Sequence, residues 1–375
     1  MDLKAEFKQF VIQELGIPLV GIAMPDDISP EDIQRINPVI QTFAKATPLA
    51  EGLDSVLQPR DFLDNPKSVV ITGMPAYFGK MSSLEECREG LLGKAEPSHV
   101  NSNLLQANAD KNARIGDFFT EKGLQCVPAV GMQLPIKLWA SKCGVGFYGK
   151  NSVIQHPDYG AWISLSAFIT DAEMASDEPL AGDCGSCELC MKACPTQAIF
   201  APYQCDVNRC MDFHLGHNKL NIPDTIREKT GNLLGEGCTV CRDVCPKNQK
   251  LTPLSGYEVP DSLRYPSLLK VLAITDDEWE NSFAMTLMGF FLMDKKYLIR
   301  NALISLGNFR DERAIEALAD LLKNGADELR GYAAWALGNI GDSRSRKILQ
   351  SAAVSENNAL IQREIEAALG TARSA

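Results

Sequence analysis

The sequence predicts an α+β protein with three successive domains, and three observations support that prediction. Helical and strand patterns are mixed before residue 178, without a regular βαβ repeat. Nine of the twelve cysteines then fall between Cys184 and Cys245. After residue 255 the pattern is helical and contains an internal repeat. Because 375 residues exceed the usual size of one domain, we expect domains at residues 1–178, 179–255 and 256–375.

The first domain is predicted to contain both helices and strands. Apolar residues at helical spacing predict a helix over residues 3–15, which stops before Pro18. Ser29 followed by Pro30 is typical of a helix start, and residues 100–122 predict a long helix. Strand patterns occur at residues 18–24 and 68–74 and in a hairpin at residues 152–170 around a Pro-Asp-Tyr-Gly turn. No G-x-G-x-x-G motif follows a strand, so a dinucleotide-binding fold is not supported.

The carboxyl-terminal domain contains an internal repeat. NALISLGNFRDERAIEAL (301–318) matches YAAWALGNIGDSRSRKIL (332–349) at an offset of 31 residues. A looser third copy, EIEAALG, occupies residues 364–370. Repeats of this length with two amphipathic helices each predict a short α-solenoid, and they resemble HEAT-type repeats.

The composition is that of a soluble globular protein, with 45% hydrophobic and 23% charged residues. No apolar run reaches the roughly 18 residues of a membrane helix, and the amino-terminal residues lack the pattern of a secretory signal. A net charge of −11 opposes non-specific binding of nucleic acid. Clustered cysteines without such a signal favour metal binding in the cytoplasm.

The cysteine spacing predicts two [4Fe–4S] clusters. CGSCELCMKACP (184–195) has the C-x2-C-x2-C-x3-C-P pattern, in which the fourth cysteine serves a different cluster from the first three. GCTVCRDVCP (237–246) lacks one ligand of that pattern, and Cys210 supplies it. The predicted ligand sets are Cys184, Cys187, Cys190 and Cys245 for the first cluster, and Cys194, Cys210, Cys238 and Cys241 for the second. The alternative is a pair of four-thiolate zinc sites. Cys205 is left over and is expected to be a small buried side chain.

These motifs stand in an order that resembles the epoxyqueuosine reductases. GVGFYGKNSVI (144–154), YGAWISLSAFITD (159–171), the two cysteine runs and LIRNALISLGN (298–308) carry the resemblance. That family reduces an epoxide on a modified base of tRNA and is related to the reductive dehalogenases. The resemblance implies a base-off cobalamin in residues 1–178, making this the corrinoid-binding domain. It also implies two clusters that reduce the cobalt and a helical-repeat tail.

The resemblance also implies which residues contact the corrinoid. Gly146, Gly149, Lys150 and Asn151 are expected to approach it, the alternative being a tight turn with a solvated lysine. Tyr148 is the candidate proton donor, by analogy with dehalogenase-like relatives, and the alternative is a buried core tyrosine.

One departure from the family concerns the proton donor. Family members carry an aspartate in a Val-Asp-Ser-Ala-Pro-like stretch, but AVGMQLPIKLWA (129–140) contains no acid. Opening an epoxide requires a proton for the new alkoxide. An apolar pocket wall is expected instead, formed by Val130, Gly131, Met132, Gln133 and Leu134. This difference predicts an altered, smaller and less polar substrate, with Tyr148 or a water as the proton source.

Three functions remain open from the sequence. The leading hypothesis is a cobalamin-dependent iron–sulfur reductase with an altered small-molecule substrate, supplied by a low-potential ferredoxin or flavodoxin. The first alternative is a genuine epoxyqueuosine reductase acting on tRNA. The second is an electron-transfer or corrinoid-activating protein without catalysis of its own. The tail from Asp294 has 12 Lys and Arg against 11 Asp and Glu, so it is not strongly basic as RNA binding favours.

Overall fold

The computed structural model describes residues 2–53, 55–129 and 134–371. The chain forms two compact units. The first comprises residues 1–79, 103–210 and 239–257, and the second comprises residues 80–102, 211–238 and 258–375. Each unit therefore contains segments from distant parts of the chain. The three-domain division of the sequence stays a prediction.

The first unit is built on a four-stranded antiparallel sheet. Its strands are β1 Leu19–Ala23, β2 Ser68–Pro75, β3 Cys126–Ala129 and β6 Ile163–Thr170, in the order β1-β2-β6-β3. Val70 lies opposite Ile22 of β1 on one side and Phe168 of β6 on the other. The strands predicted at residues 18–24 and 68–74 are confirmed.

The hairpin predicted at residues 152–170 is only partly right: His156 and Gly160 pair across the Pro-Asp-Tyr-Gly turn, but the arms beyond them do not pair with each other. Its first arm contains only β5 Ile154–Gln155, which pairs with β4 Phe147–Tyr148 in a separate two-stranded ribbon. Its second arm is β6, which pairs with β2 and β3. The alternating pattern did identify β6 as a strand, but a pattern along one segment does not show which distant strand completes its hydrogen bonds.

Helices cover both faces of this sheet. α1 Leu3–Gln9 continues into a π-helical turn at Phe10–Glu14, and together they confirm the predicted first helix. The other long helices are α2 Pro30–Ala46, α5 Ser102–Thr120 and α6 Ile136–Lys142. Shorter helical segments are α3 Pro59–Phe62, α7 Leu189–Ala193 and α9 Val240–Asp243. Ser29 caps α2 by accepting a hydrogen bond from the Asp32 N–H at 3.1 Å, as predicted.

Alternation along the strands divides the apolar core between the two faces of the sheet. Phe7 of α1 and Phe119 of α5 pack with Val70 on one face. Trp139 of α6 packs with Ile71 on the other. The last two-stranded ribbon of this unit, β7 Ile199–Ala201 and β8 Gln204–Cys205, lies within the cysteine-rich segment.

The second unit is helical. Its helices before the repeats are α4 Leu84–Arg88, α8 Asp224–Arg227, α10 Asp261–Arg264, α11 Leu268–Leu272, α12 Asp276–Trp279 and α13 Leu287–Leu292. The repeats are α14 Lys295–Phe309, α15 Ile315–Asn324, α16 Asp327–Ile340, α17 Ser343–Ser355 and α18 Ala359–Thr371. Throughout the described part of the chain, every helix is too short or too polar to cross a bilayer.

The repeated Leu-Gly-Asn sequence marks where successive helices of the solenoid touch. A Cβ atom on Gly307 of α14 would lie 2.5 Å from the Trp335 ring of α16. A Cβ atom on Gly338 of α16 would lie 2.7 Å from the Ala368 Cβ of α18. Glycine is therefore required at the same position of two consecutive repeats because the neighbouring helix occupies the space of a side chain.

A buried ion pair joins the last helix to an earlier segment of the second unit. The Arg227 side chain is 1% exposed, and its Nη1 and Nη2 donate to the two carboxylate oxygens of Glu364 at 3.0 and 3.1 Å. The guanidinium also lies over the Tyr332 ring, 4.4 Å from its centroid. This arrangement satisfies the charge of a residue that is otherwise costly to bury.

Candidate active site

Two short helices position cysteines of the predicted clusters. Cys190 lies in α7 and Cys241 in α9. The N–H of Cys187 donates to the Cys184 carbonyl oxygen at 3.1 Å, which closes a turn between the first two predicted ligands. Cys194 follows α7 directly, and its Sγ accepts a hydrogen bond from the backbone N–H of Ala198 at 3.2 Å. Short helices and turns thus present the thiols in the order expected from the spacing.

The four thiols predicted for the first cluster influence one another electrostatically. Burial raises the pKa of Cys190, and the thiols of Cys184 and Cys245 raise it further. Burial likewise raises the pKa of Cys245, with added contributions from Cys184 and Cys187. Such mutual effects require the groups to lie close together. Four neighbouring thiols are the donor set that a [4Fe–4S] cluster takes, so the residues present fit this group.

The second predicted set is divided between the compact units. Cys194, Cys210 and Cys241 belong to the first unit, whereas Cys238 ends a segment of the second. In the second unit the N–H groups of Gly237 and Cys238 donate to Asp212 Oδ1 at 2.7 and 3.0 Å, which fixes the chain at that cysteine.

Two other features bear on the cysteine predictions. Cys205 lies in β8 and is half-buried, not fully buried as expected for a core side chain. Within residues 2–53, 55–129 and 134–371, no three His, Cys, Asp or Glu side chains converge on one point as they do around a single metal ion.

The Gly-Lys-Asn motif lies against the cysteine loops. Lys150 is 9% exposed, and its Nζ donates to the carbonyl oxygens of Gly185 at 2.7 Å and Cys187 at 3.1 Å. Its backbone N–H points to Cys184 Sγ at 3.5 Å. The side chain of Asn151 donates to the Cys241 carbonyl oxygen at 3.5 Å. The alternative of a solvated lysine is wrong, while contact of these residues with a corrinoid stays a prediction.

The two glycines of the motif allow the β4–β5 ribbon to close tightly. A Cβ atom on Gly146 would lie 2.4 Å from Ile154 Cγ2, and one on Gly149 would lie 2.6 Å from Asn151 Oδ1. Tyr148, in β4, is half-buried and packs against the apolar core on the α6 face of the sheet. Its assignment as proton donor stays a prediction.

The predicted apolar wall lies mostly outside the described residues, since Val130, Gly131, Met132 and Gln133 are not among them. Leu134 is described, and it is 1% exposed in the core shared with Trp139.

Asn248 is a positioning residue that the sequence patterns did not identify. Its Oδ1 accepts a hydrogen bond from the Ala161 N–H at 2.9 Å, and its Nδ2 donates to the Arg242 carbonyl oxygen at 2.7 Å. It thereby joins the loop before β6 to the cysteine-bearing helix α9. Gly160 has a φ of +52°, and a Cβ atom there would overlap the Asn248 side chain. Asn248 lies two residues after the Cys245-Pro246 dipeptide, and this position is the signal that could have identified it.

A small polar cavity lies on the α5 face of the sheet. Amide, hydroxyl and amine side chains dominate its lining, which consists of Ile17, Thr72, Met74, Asn108, Lys111, Asn112, Ser164 and Ser166. Burial lowers the pKa of Lys111. The buried Oδ1 atom of Asn108 accepts no hydrogen bond within the described structure. A buried acceptor of this kind needs a donor from a ligand or water.

Comparison with known proteins supports both the cysteine-rich and the repeat assignments. Residues 183–248 match the 4Fe-4S double cluster binding domain family, and residues 293–370 match the HEAT repeats. These matches confirm the α+β architecture with a two-cluster domain and a HEAT-like solenoid.

Full-length relatives identify the family. The epoxyqueuosine reductase of Bacillus subtilis (strain 168) is 36% identical over 324 residues, which cover 84% of this chain and 82% of the relative. That of Bacillus anthracis is 33% identical and covers 98% of each chain. A solved structure of epoxyqueuosine reductase with a tRNA-Tyr epoxyqueuosine-modified tRNA stem loop has a TM-score of 0.87 at 27% identity, covering 99% of each chain. A Bacillus subtilis structure, with its catalytic aspartate loop swung out of the active site, has a TM-score of 0.85 at 26% identity, covering 98% of each. These enzymes are oxidoreductases, and the chain belongs to the epoxyqueuosine reductase family.

Proposed function

We propose that this protein reduces epoxyqueuosine in tRNA. The observation that carries the proposal is the match along the whole chain, including the solenoid, to the enzyme solved with an epoxyqueuosine-modified tRNA stem loop. The altered-substrate hypothesis depended on the acid-free segment at residues 129–140, and the comparisons favour the tRNA alternative instead. A tRNA substrate also agrees with the cytoplasmic location expected from the cysteines.

In the proposed reaction, electrons enter the protein through the cysteine-rich segment. The first cluster is held by Cys184, Cys187, Cys190 and Cys245, and the second by Cys194, Cys210, Cys238 and Cys241. The proposed donor is a low-potential ferredoxin or flavodoxin. Two clusters in one segment suit a relay of single electrons, and Lys150 and Asn151 donate hydrogen bonds to the loop that carries Cys187 and to the Cys241 carbonyl oxygen.

A corrinoid is the proposed electron acceptor, and the family resemblance is what supports it. The polar cavity beside Asn108 does not fit this group, because its empty volume is about 220 Å³, far less than a cobalamin occupies; the unpaired Oδ1 of Asn108 suits a water molecule. The cavity also lies on the α5 face of the sheet, whereas Tyr148 packs on the α6 face. The residues proposed to approach the corrinoid remain Gly146, Gly149, Lys150 and Asn151. When bound, cobalamin would supply a cobalt centre for the reduction of the epoxide.

The proton for the opened epoxide is proposed to come from Tyr148 or from water. Tyr148→Phe removes the hydroxyl but preserves the ring that packs on the core. If Tyr148 is the donor, its loss should slow turnover by roughly 10²–10⁴-fold. An unchanged rate would assign the proton to water.

The function is tested with anaerobically purified protein, added cobalamin, a low-potential reductant and an anticodon stem loop carrying epoxyqueuosine. We expect conversion to queuosine, detected by mass spectrometry of the digested RNA. Cys184→Ser should abolish conversion, while Cys205→Ala, at the cysteine outside both ligand sets, should retain it. No conversion by protein that holds both clusters and cobalamin would overturn the proposal. Clusters without any cobalamin binding would favour the electron-transfer alternative.

A further inference from the structure

Lys150 is a buried cation without an anionic partner. Its side chain is held by two carbonyl oxygens, of Gly185 and Cys187, and no carboxylate in the described part of the chain lies within 4.0 Å of its ammonium group. Burying a charged group with only dipoles as partners is costly. Its surroundings therefore call for a negative charge close by.

The first predicted cluster supplies that negative charge. The two carbonyl groups that hold the ammonium belong to the loop carrying Cys184 and Cys187, and the backbone N–H of Lys150 points to Cys184 Sγ at 3.5 Å. A [4Fe–4S] cluster with four thiolate ligands is an anion, and it becomes more negative when it accepts an electron. A nearby cation and an N–H directed at a ligand sulfur both stabilise the reduced form.

The position of Lys150 is fixed by the backbone on both sides. The Lys150 carbonyl oxygen accepts a hydrogen bond from the Tyr203 N–H at 3.1 Å. The Ser152 N–H donates to the Gly149 carbonyl oxygen at 2.9 Å, which closes the turn containing Lys150. The ammonium is therefore held beside the cluster loop and is shielded from solvent, where its charge acts strongly.

The lysine next to the second predicted ligand set is different. Lys192 precedes Cys194 by two residues, its side chain is 74% exposed, and it pairs with Glu188 at 3.4 Å. An exposed and paired charge is screened by water and salt, so its effect on a cluster should be small. Lys192 provides a matched control for Lys150.

We propose that Lys150 raises the reduction potential of the cluster held by Cys184, Cys187, Cys190 and Cys245. This cluster then accepts electrons more readily than it would without the lysine. The motif that contains Lys150 also contains Tyr148, so the raised potential directs electrons toward the part of the first unit that carries the candidate proton donor. The proposal shares its ligand assignment with the proposed function, but it concerns a property that can be measured without substrate.

The test compares wild-type protein with Lys150→Gln, Lys150→Arg and Lys192→Gln, all purified anaerobically and analysed for iron and sulfide. Each is titrated with dithionite and followed by electron paramagnetic resonance. We expect Lys150→Gln to lower the reduced-to-oxidised ratio of one cluster by about tenfold at a fixed solution potential, equivalent to about 59 mV for one electron. The other cluster should be unchanged, as should both clusters in Lys192→Gln, while Lys150→Arg should stay close to wild type.

Several results would overturn the proposal. One is an unchanged potential in a Lys150→Gln protein that contains both clusters, and another is an equal shift in Lys192→Gln. If Lys150→Gln loses iron, Lys150→Met is titrated in its place, and an unchanged potential in that cluster-containing protein overturns the proposal. Because no RNA is needed, a failed shift leaves the proposed substrate intact, and a failed RNA assay leaves the potentials measurable.

Discussion

The Arg227–Glu364 pair allows a quantitative test of how the solenoid is joined to the rest of the second unit. Glu364→Gln keeps the size of the side chain but removes the charge that faces a guanidinium only 1% exposed. Removing one partner of a buried pair typically costs roughly 3–5 kcal/mol. Arg227 retains an ion pair with Asp224 at 3.1 Å and hydrogen bonds to the Ile222 carbonyl oxygen and to Asn221 Oδ1, and Glu364 is itself 27% exposed. We therefore expect a loss below that range, about 2 kcal/mol.

The assay is urea denaturation under anaerobic conditions, followed by tryptophan fluorescence. Trp335 is a local reporter, since the Arg227 guanidinium lies 5.9 Å from its ring centroid. Glu328→Gln is the control, because that carboxylate is 67% exposed and lies 3.8 Å from Lys296, so its loss should change the free energy of unfolding by less than about 0.5 kcal/mol. A loss below about 1 kcal/mol in Glu364→Gln would refute the reasoning that the buried arginine depends on this carboxylate.

Two further predictions concern glycines and a partly buried carboxylate. Gly338→Ala should destabilise the protein by about 1–3 kcal/mol through overpacking. Gly116→Ala, where a Cβ atom meets no other atom within 4 Å, should stabilise α5 by up to about 1 kcal/mol. Thermal unfolding measures the stability of both variants. Equal changes in stability for Gly338→Ala and Gly116→Ala would contradict the packing argument. Burial raises the pKa of Asp177, but hydrogen bonds from Lys8, Lys4 and the Ile22 N–H lower it below its ordinary value overall. Its contribution to stability is therefore full above the unfolded pKa of about 3.9 and is lost as pH falls through the folded pKa. Asp177→Asn should be less stable than wild type near pH 7, and the difference should vanish in acid. A constant deficit across pH would contradict this assignment.

The features that depend on local spacing were predictable from the sequence. The cysteine runs specify their own chemistry because ligands of one cluster recur at fixed intervals, and the family match at residues 183–248 agrees with that interpretation. The 31-residue repeat likewise predicted helices that the structure places at α14 to α18, since helical periodicity is visible in a single segment.

The features that depend on distant partners were not predictable. β6 was recognised as a strand, yet its neighbours β2 and β3 lie far away in the chain. Lys150 was interpreted as either solvated or corrinoid-binding, because nothing near it in the sequence indicates that Gly185 and Cys187 receive its ammonium group. Asn248 was missed for the same reason, since its partner Ala161 is 87 residues earlier. Tertiary hydrogen bonds of this kind leave no periodic trace.

β6 lies between β2 and β3 in the sheet, yet it is the last of the four strands to be synthesised. While the ribosome makes the 88 residues that lead from Pro75 to Ile163, β1 and β2 can form only a two-stranded ribbon with one edge of β2 open. At ~5–20 residues per second that interval lasts roughly 4–18 s. A lone two-stranded ribbon is marginally stable, and an open edge invites pairing with other chains. A nascent chain stalled before residue 163 should therefore bind chaperones strongly. This binding should end once β6 has emerged from the ribosome and paired with β2.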